Sequence, residues 1–378
     1  MSLFLPNFDN LVFREFPSFT HPFLSDVLRE KKFLPRKKAN FLLNRMEMKT
    51  GRNRIISYPY YLVIDPTNVC NLKCPLCPTW QDLKARPKGM MNLETFRKLF
   101  EEVGPYVFAI NLCNWGEPLL NPDICGIIRH AKSFNTVVGL STNLNSLADD
   151  KAQEIVDAGI DIIVVSLDGA SQESYAKYRV GGDFGKVMDN LRKLISLRKE
   201  RKHPLLVWQF LVNRQNESEI EKAKERARQL GMLFMPSPMR TSMGKELLLP
   251  LFERVKDVEK WLPLNPRYNR YNYTITPETR TRQTTCNWLW KAMVINWDGS
   301  VSPCCGVFEK KWDFDACYSA EGKNLTIREV WNSPRYRLAR KLVSAHMKKS
   351  KHLPQLLRLA KEEGLICAQC IKYGFLEE

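Results

Sequence analysis

Three cysteines packed into eight residues limit what this chain can be more than any other feature. Cys70, Cys74 and Cys77 stand in the run Asn68-Val-Cys-Asn-Leu-Lys-Cys-Pro-Leu-Cys-Pro78, a C-x3-C-x2-C spacing. Three thiolates this close can ligate three irons of a [4Fe–4S] cube and leave the fourth iron open. An open iron can take a small molecule through amino and carboxylate groups, which turns an electron carrier into a catalyst. Zinc fits less well. A structural zinc site takes four protein ligands, often as two C-x2-C pairs, and the next cysteine, Cys113, has no partner at short spacing. A disulfide framework belongs to small secreted domains. This chain has 378 residues, and its N-terminus lacks the basic and apolar regions of a secretory signal. Its eleven cysteines point to metal in a reducing compartment, and a cytoplasmic location is expected.

From residue 58 apolar runs of strand length alternate with segments of helical period. Strands are expected at Tyr60–Asp65, Val107–Cys113, Thr136–Ser141, Ile160–Leu167, Leu205–Val212 and Leu233–Pro236. Helices are expected at Leu93–Val103, Pro122–Ser133, Asp149–Ala158, Phe184–Arg198 and Glu217–Leu230. Asn92 reads as a helix start. Gly104, Gly159 and Gly231 stand where helix C-terminal glycines belong. About six β-α units argue for an α/β fold with a parallel sheet and helices outside. Periodicity does not separate a barrel from an open doubly wound sheet. Four regions follow: a basic extension at 1–57, the β-α core at 58–239, a connector at 240–285 and a cysteine-bearing region at 286–378. In the last, Trp297-Asp-Gly-Ser300 joins two short strands as a tight turn. Helices are expected there at Thr326–Leu342 and Leu353–Glu362.

That last region supplies a second candidate metal site. Cys286 precedes the hairpin, Cys304 ends it, and Cys367 with Cys370 forms a C-x2-C pair. Four thiolates of this kind suit a tetrahedral zinc or a fully ligated [4Fe–4S] cluster, and spacing does not choose between them.

The three-cysteine motif, its place after the run Tyr60-Tyr-Leu-Val-Ile-Asp65, and several later segments resemble the radical SAM superfamily. The resemblance implies a partial six-unit barrel and a cluster held by Cys70, Cys74 and Cys77. S-adenosylmethionine would chelate the open iron and be cleaved to a 5′-deoxyadenosyl radical that abstracts hydrogen from the substrate. Leu76 fills the family's apolar position before the last cysteine. Asn114-Trp-Gly-Glu-Pro118 resembles the family's Gly-Gly-Glu motif, with Trp115 in place of the first Gly. Gly116 and Glu117 would then meet the cofactor's amino group. Ser141 and Asn143 would contact the ribose, Ser166 ends the fourth strand, and Arg179 would pair with the cofactor carboxylate. Cys113 is a candidate hydrogen donor to a substrate radical, with Cys317 and Cys125 behind it. The C-terminal region resembles the shortened twitch form of the SPASM domain, so Cys286, Cys304, Cys367 and Cys370 would hold one auxiliary [4Fe–4S] cluster. Cys305 could replace Cys304.

Charge bears on partners. The chain has 58 Lys and Arg against 41 Asp and Glu. Residues 26–54 hold ten basic and three acidic residues, and residues 335–361 hold nine basic residues and no acid. Such fields form a solvated, solubilising face or attract phosphates: the solvated face ranks first, an anionic bilayer second and RNA below both. The first substrate expectation is non-peptide and anionic: a sugar, a cyclitol or a lipid intermediate. The second is a peptide or protein. The third, outside enzymes, is an electron-transfer or RNA-binding protein with structural clusters. An external low-potential electron donor of flavodoxin or ferredoxin type and a peripheral contact with an anionic membrane complete the expected partners.

Overall fold

The computed structural model describes residues 24–81, 84–199, 201–239, 258–268, 286–318 and 324–373. Six strands alternate with helices: β1 (Tyr61–Ile64), β2 (Ala109–Leu112), β3 (Val137–Thr142), β4 (Ile162–Ser166), β5 (Leu205–Val212) and β6 (Leu233–Pro238). Each pairs in parallel with the next. The outer helices are α3 (Leu93–Val103), α4 (Ile124–Ser133), α5 (Asp149–Asp157), α6 (Gln172–Tyr178), α7 (Phe184–Arg198) and α8 (Ile220–Gln229), of which α3 and α7 fall where the periodicity places them. The first opens on Asn92, whose Oδ1 accepts from Thr95 N at 2.8 Å. Gly159 and Gly231 take the left-handed conformation of a helix end, but Gly104 is right-handed at φ −51°. Its turn closes by an ordinary backbone bond to Phe100 O, so Gly104 is not a left-handed cap.

Alternation along the strands sorts the side chains into two layers. Leu62, Ile64, Ile110 and Leu112 face outward, in the core shared with the outer helices. Tyr61, Val63, Ala109, Val137, Ile162, Val164 and Val207 face inward and fill the lower barrel. Inward positions further along the same strands are polar: Asp65, Asn111, Cys113, Ser141, Ser166, Gln209 and Ser237. The barrel is thus apolar at its N-terminal end and polar at its mouth.

The closed end is plugged by α1 (Leu24–Arg29) and α2 (Pro35–Thr50). Phe41 of α2 meets Tyr60 and Phe108 edge to face. Lys37 is fully buried and donates to Val107 O, Asn135 O and Thr136 Oγ1, just ahead of β2 and β3.

Beyond the connector, most of which lies outside the described residues, come β7 (Ala292–Ile295), β8 (Ser300–Ser302) and β9 (Asp315–Ala316). β7 pairs in parallel with the outer edge of β1, and β8 and β9 follow antiparallel. The cysteine-bearing region therefore extends the barrel sheet into nine strands. The single helix expected at Thr326–Leu342 is two, α9 (Ile327–Trp331) and α10 (Pro334–Met347). Pro334 cannot continue a helix but suits the first turn of a new one, which Ser333 caps. α11 (Leu353–Glu362) matches expectation. α12 (Ile366–Tyr373), which carries the C-x2-C pair, was not anticipated.

Candidate active site

The three-cysteine loop leaves β1 at the barrel mouth. Thr67 Oγ1 donates to Gly89 O, and the Asn68 amide bridges Pro87 O and Gly89 N at 2.7 and 2.9 Å. Lys88 Nζ donates to Asn68 O and Thr79 O at 2.9 and 3.0 Å. These contacts moor the loop to a neighbouring segment without using a thiol. Leu76 packs beside Cys70 and Cys77, against a small apolar cluster that includes Leu72 and Tyr178.

Gly116 serves the protein's own backbone. A Cβ there would lie 1.9 Å from Thr67 O, so no other residue lets the two loops approach. Glu117 N then donates to Val69 O at 2.8 Å. The Glu117 carboxylate, 2% exposed, accepts from Leu119 N, Thr142 Oγ1 and Asn143 N at 3.1, 2.6 and 2.7 Å. Burial pushes its carboxyl up, against the pull of those three bonds. A carboxylate has about four acceptor positions, so one remains for an ammonium group.

Asn143 closes the ring of contacts. Its Nδ2 donates to Asn71 Oδ1 at 2.9 Å and lies 3.8 Å from Cys70 Sγ. Arg179 approaches from the far side, with Nη1 3.8 Å from Cys74 Sγ. Its Nε is bound to the buried Asp168 at 2.5 Å. Asp168 also accepts from Leu211 N at 2.7 Å, so the guanidinium stands on a fixed anion. Asp168, two residues after Ser166, is a site residue to which the sequence analysis assigns no role. Its signal was an acid at the end of a predicted barrel strand.

The inward row continues from there. Asn111 Nδ2 donates to Cys113 Sγ at 3.2 Å, and Ser166 Oγ reaches Gln209 Oε1 at 3.4 Å. Ser141 stands beside Cys113, whose thiol burial pushes up to about 11. Asp65 was missed as well. It is fully buried, accepts from Trp115 N at 3.2 Å, and keeps an unpartnered Oδ2. Burial raises its carboxyl to about 7. Cys125 and Cys317 lie instead in the core between sheet and helices.

The second set gathers on the auxiliary hairpin. Cys286 precedes β7, Cys304 follows β8, and Cys367 and Cys370 ride on α12. Burial, then the nearby Cys305, Cys370 and Cys286, drives the Cys304 thiol well up. Burial and then Cys286 do the same for Cys367. Among the described residues no three His, Cys, Asp or Glu side chains close around a single-ion position. A cube asks each thiolate to reach its own iron rather than a shared point. Burial pushes Cys74 up to about 12, so thiolates packed here need a cation among them. Both donor sets fit iron–sulfur clusters on that ground.

Arg86 ties the two centres together. It is fully buried and grips both Asp313 oxygens at 2.8 and 2.7 Å, Ser300 Oγ at 2.8 Å and Phe308 O at 3.0 Å. Trp297 Nε1 donates to Pro87 O at 3.1 Å, and Trp115 packs edge to face on Phe308.

A partial parallel barrel with a three-thiol loop at its mouth, and four cysteines shared between an edge hairpin and a C-terminal helix, defines a class of iron–sulfur enzymes. The chain carries a radical SAM domain, whose superfamily model matches residues 64–227, and a SPASM iron–sulfur cluster-binding domain, matched at residues 286–370. The family brings [4Fe–4S] clusters and S-adenosylmethionine. A relative in Pyrococcus furiosus, the tungsten-containing aldehyde ferredoxin oxidoreductase cofactor-modifying protein, is 24% identical over 73% of this chain and 82% of its own length. The pre-heme d1 synthase of Dinoroseobacter shibae is 27% identical over 41% of this chain and 37% of its own. The solved structure of Streptococcus suis SuiB bound to S-adenosylmethionine shares the fold, with TM-score 0.55 and 16% identity over 81% of this chain and 72% of that one. Native anSMEcpe with bound AdoMet does so with TM-score 0.50 and 16% identity over 81% and 100%.

Proposed function

We propose that this radical SAM enzyme cleaves S-adenosylmethionine reductively and abstracts hydrogen from a non-peptide small molecule: a sugar, a cyclitol or a lipid intermediate. The observation that carries this reading is the three-thiol loop locked against the Gly116–Glu117 loop at the polar mouth of the barrel. Cys70, Cys74 and Cys77 would hold the first cluster, and Cys286, Cys304, Cys367 and Cys370 the auxiliary one. When bound, the first cluster supplies the electron and the open coordination site for cofactor cleavage. The protein's residues bind and orient. Glu117 offers its remaining acceptor position to the cofactor's ammonium. Arg179, fixed by Asp168 beside Cys74, would pair with the cofactor carboxylate. Asn143, Ser141 and Ser166 offer hydrogen bonds along the mouth, and Leu76 packs beside the cluster loop. Cys113, part of the inward polar row, would return hydrogen to a substrate radical.

The non-peptide assignment draws on the N-terminal segment. Its described residues form a helical plug on the closed end, whereas peptide-modifying members of the family often carry a strand-and-helix module there. The expectation of an anionic substrate loses its basis, because the basic segments line the closed end and α10, away from the mouth. An external low-potential donor of flavodoxin or ferredoxin type would supply the electron. The test is anaerobic reconstitution followed by dithionite and S-adenosylmethionine, with 5′-deoxyadenosine measured. Fully loaded protein that forms none would sink the reading.

A further inference from the structure

The two basic segments, nearly 300 residues apart in sequence, meet on one surface. The end of α2 abuts the end of α10: Lys348 Nζ donates to Thr50 O at 3.0 Å. A Cβ on Gly51 would lie 2.2 Å from Ser344 Oγ, so the helix ends pack closely. The surface carries almost no negative charge. Glu47, the one acid of α2, is buried and accepts from Ile56 N at 2.7 Å and from Ser57 Oγ. Residues 335–361 contain no acid. Lys49, Arg52, Arg54, Lys341, Lys349 and Lys351 are exposed.

The same surface shows apolar side chains in a row. Leu34, which caps the start of α2, and Leu42 and Met46 along it follow helical spacing and are exposed by 54%, 37% and 54%. Met347 is exposed at the end of α10. A solvated face has no use for such a row, and neither does a phosphate polymer. Lysines and arginines around exposed leucine and methionine match an anionic lipid surface, where cations meet headgroups and apolar tips enter the acyl boundary.

We infer that the joined faces of α2 and α10 form a docking surface for an anionic bilayer. Docking there places the closed end of the barrel on the membrane and turns the mouth toward water. On the enzymatic reading above, it then favours a water-soluble sugar or cyclitol over a substrate buried in lipid.

The experiment is flotation of the cluster-loaded full chain with vesicles of phosphatidylcholine, with and without about 30% phosphatidylserine. Binding to the anionic vesicles at low salt should exceed neutral binding at least about tenfold, and about 0.5 M salt should abolish it. Two variants separate the contributions. Leu42→Glu with Met46→Glu, and Lys349→Glu with Lys351→Glu, should each weaken anionic binding about tenfold or more. These side chains are exposed, so unchanged melting temperatures confirm folding. Lys224→Glu, on another helix, should bind as the wild type does. Equal recovery with neutral vesicles, no binding at low salt, or full binding by the Leu42/Met46 variant overturns the proposal. So does a polyuridylate affinity matching that for anionic vesicles. None of these results depends on 5′-deoxyadenosine formation, so the docking surface and the enzymatic reading fail separately.

Discussion

At the scale of residues, the cysteines make the sharpest forecast. Reconstituted protein should hold about eight irons, the content of two cubanes. Replacing Cys70, Cys74 and Cys77 together by Ala should leave about half of that and end 5′-deoxyadenosine formation; iron analysis and chromatography check both. Zinc at full occupancy in the second site would refute the auxiliary cluster. Glu117 tests a dual role. Glu117→Ala strands three buried donors, each costing on the order of 1–3 kcal/mol, so the melting temperature should fall. Loss of the ammonium contact should also weaken S-adenosylmethionine binding about tenfold. A lower melting temperature with unchanged affinity would leave Glu117 as a tie between loops. The sequence showed that an acid stood at this strand end. It did not show the acceptors already committed to Thr142 and Asn143, because those partners come from a strand some 25 residues away.

At the scale of elements, α2 is the informative case. The sequence shows α2 as part of a basic extension but does not show its burial, because a lysine such as Lys37 in a basic segment reads as solvated. Burial lowers the Lys37 ammonium to about 7, from 10.5 in the unfolded chain. Above pH 10.5 both states are neutral and Lys37 adds no penalty. As pH falls from there toward 7 the unfolded chain binds the proton first, and stability is lost. Lys37→Met removes that dependence. The stability of wild type relative to Lys37→Met should therefore rise between pH 7 and pH 10, measured by denaturant titration. A flat difference would mean that the ammonium stays charged on its three oxygens. The same packing rules out deleting residues 1–54 as a clean membrane test, since Lys37, Phe41 and Asn44 would leave the barrel floor open. Similarly, the break before Pro334 was written in the sequence as Ser333-Pro334 and read over, because the apolar period continues across it.

At the scale of the molecule, one sheet and one arginine join the two cysteine centres. Arg86→Met would leave Asp313 buried without its cation, a loss on the order of 3–5 kcal/mol. The expected result is a lower melting temperature and loss of auxiliary-cluster iron in preference to the first cluster's. Equal stability of Arg86→Met would show that the pairing of β7 with β1 suffices by itself. Nothing in the local pattern marks Arg86, which stands in a loop rich in Lys and Pro. Its importance comes from Ser300, Phe308 and Asp313, more than 200 residues away.

What the sequence determined by itself was the local chemistry and the repeating units. Cysteine spacing depends on neighbours in the chain, and strand and helix periods are set within ten or so residues. These features gave the three-thiol motif, most elements and the α/β class. The tertiary structure alone decided what lies together across long separations. It gave Glu117 and Asp168 their partners, left Asp65 Oδ2 without one, set β7 on the edge of β1, and brought α2 against α10. Those outcomes follow from side-chain packing and strand register, which no local pattern encodes.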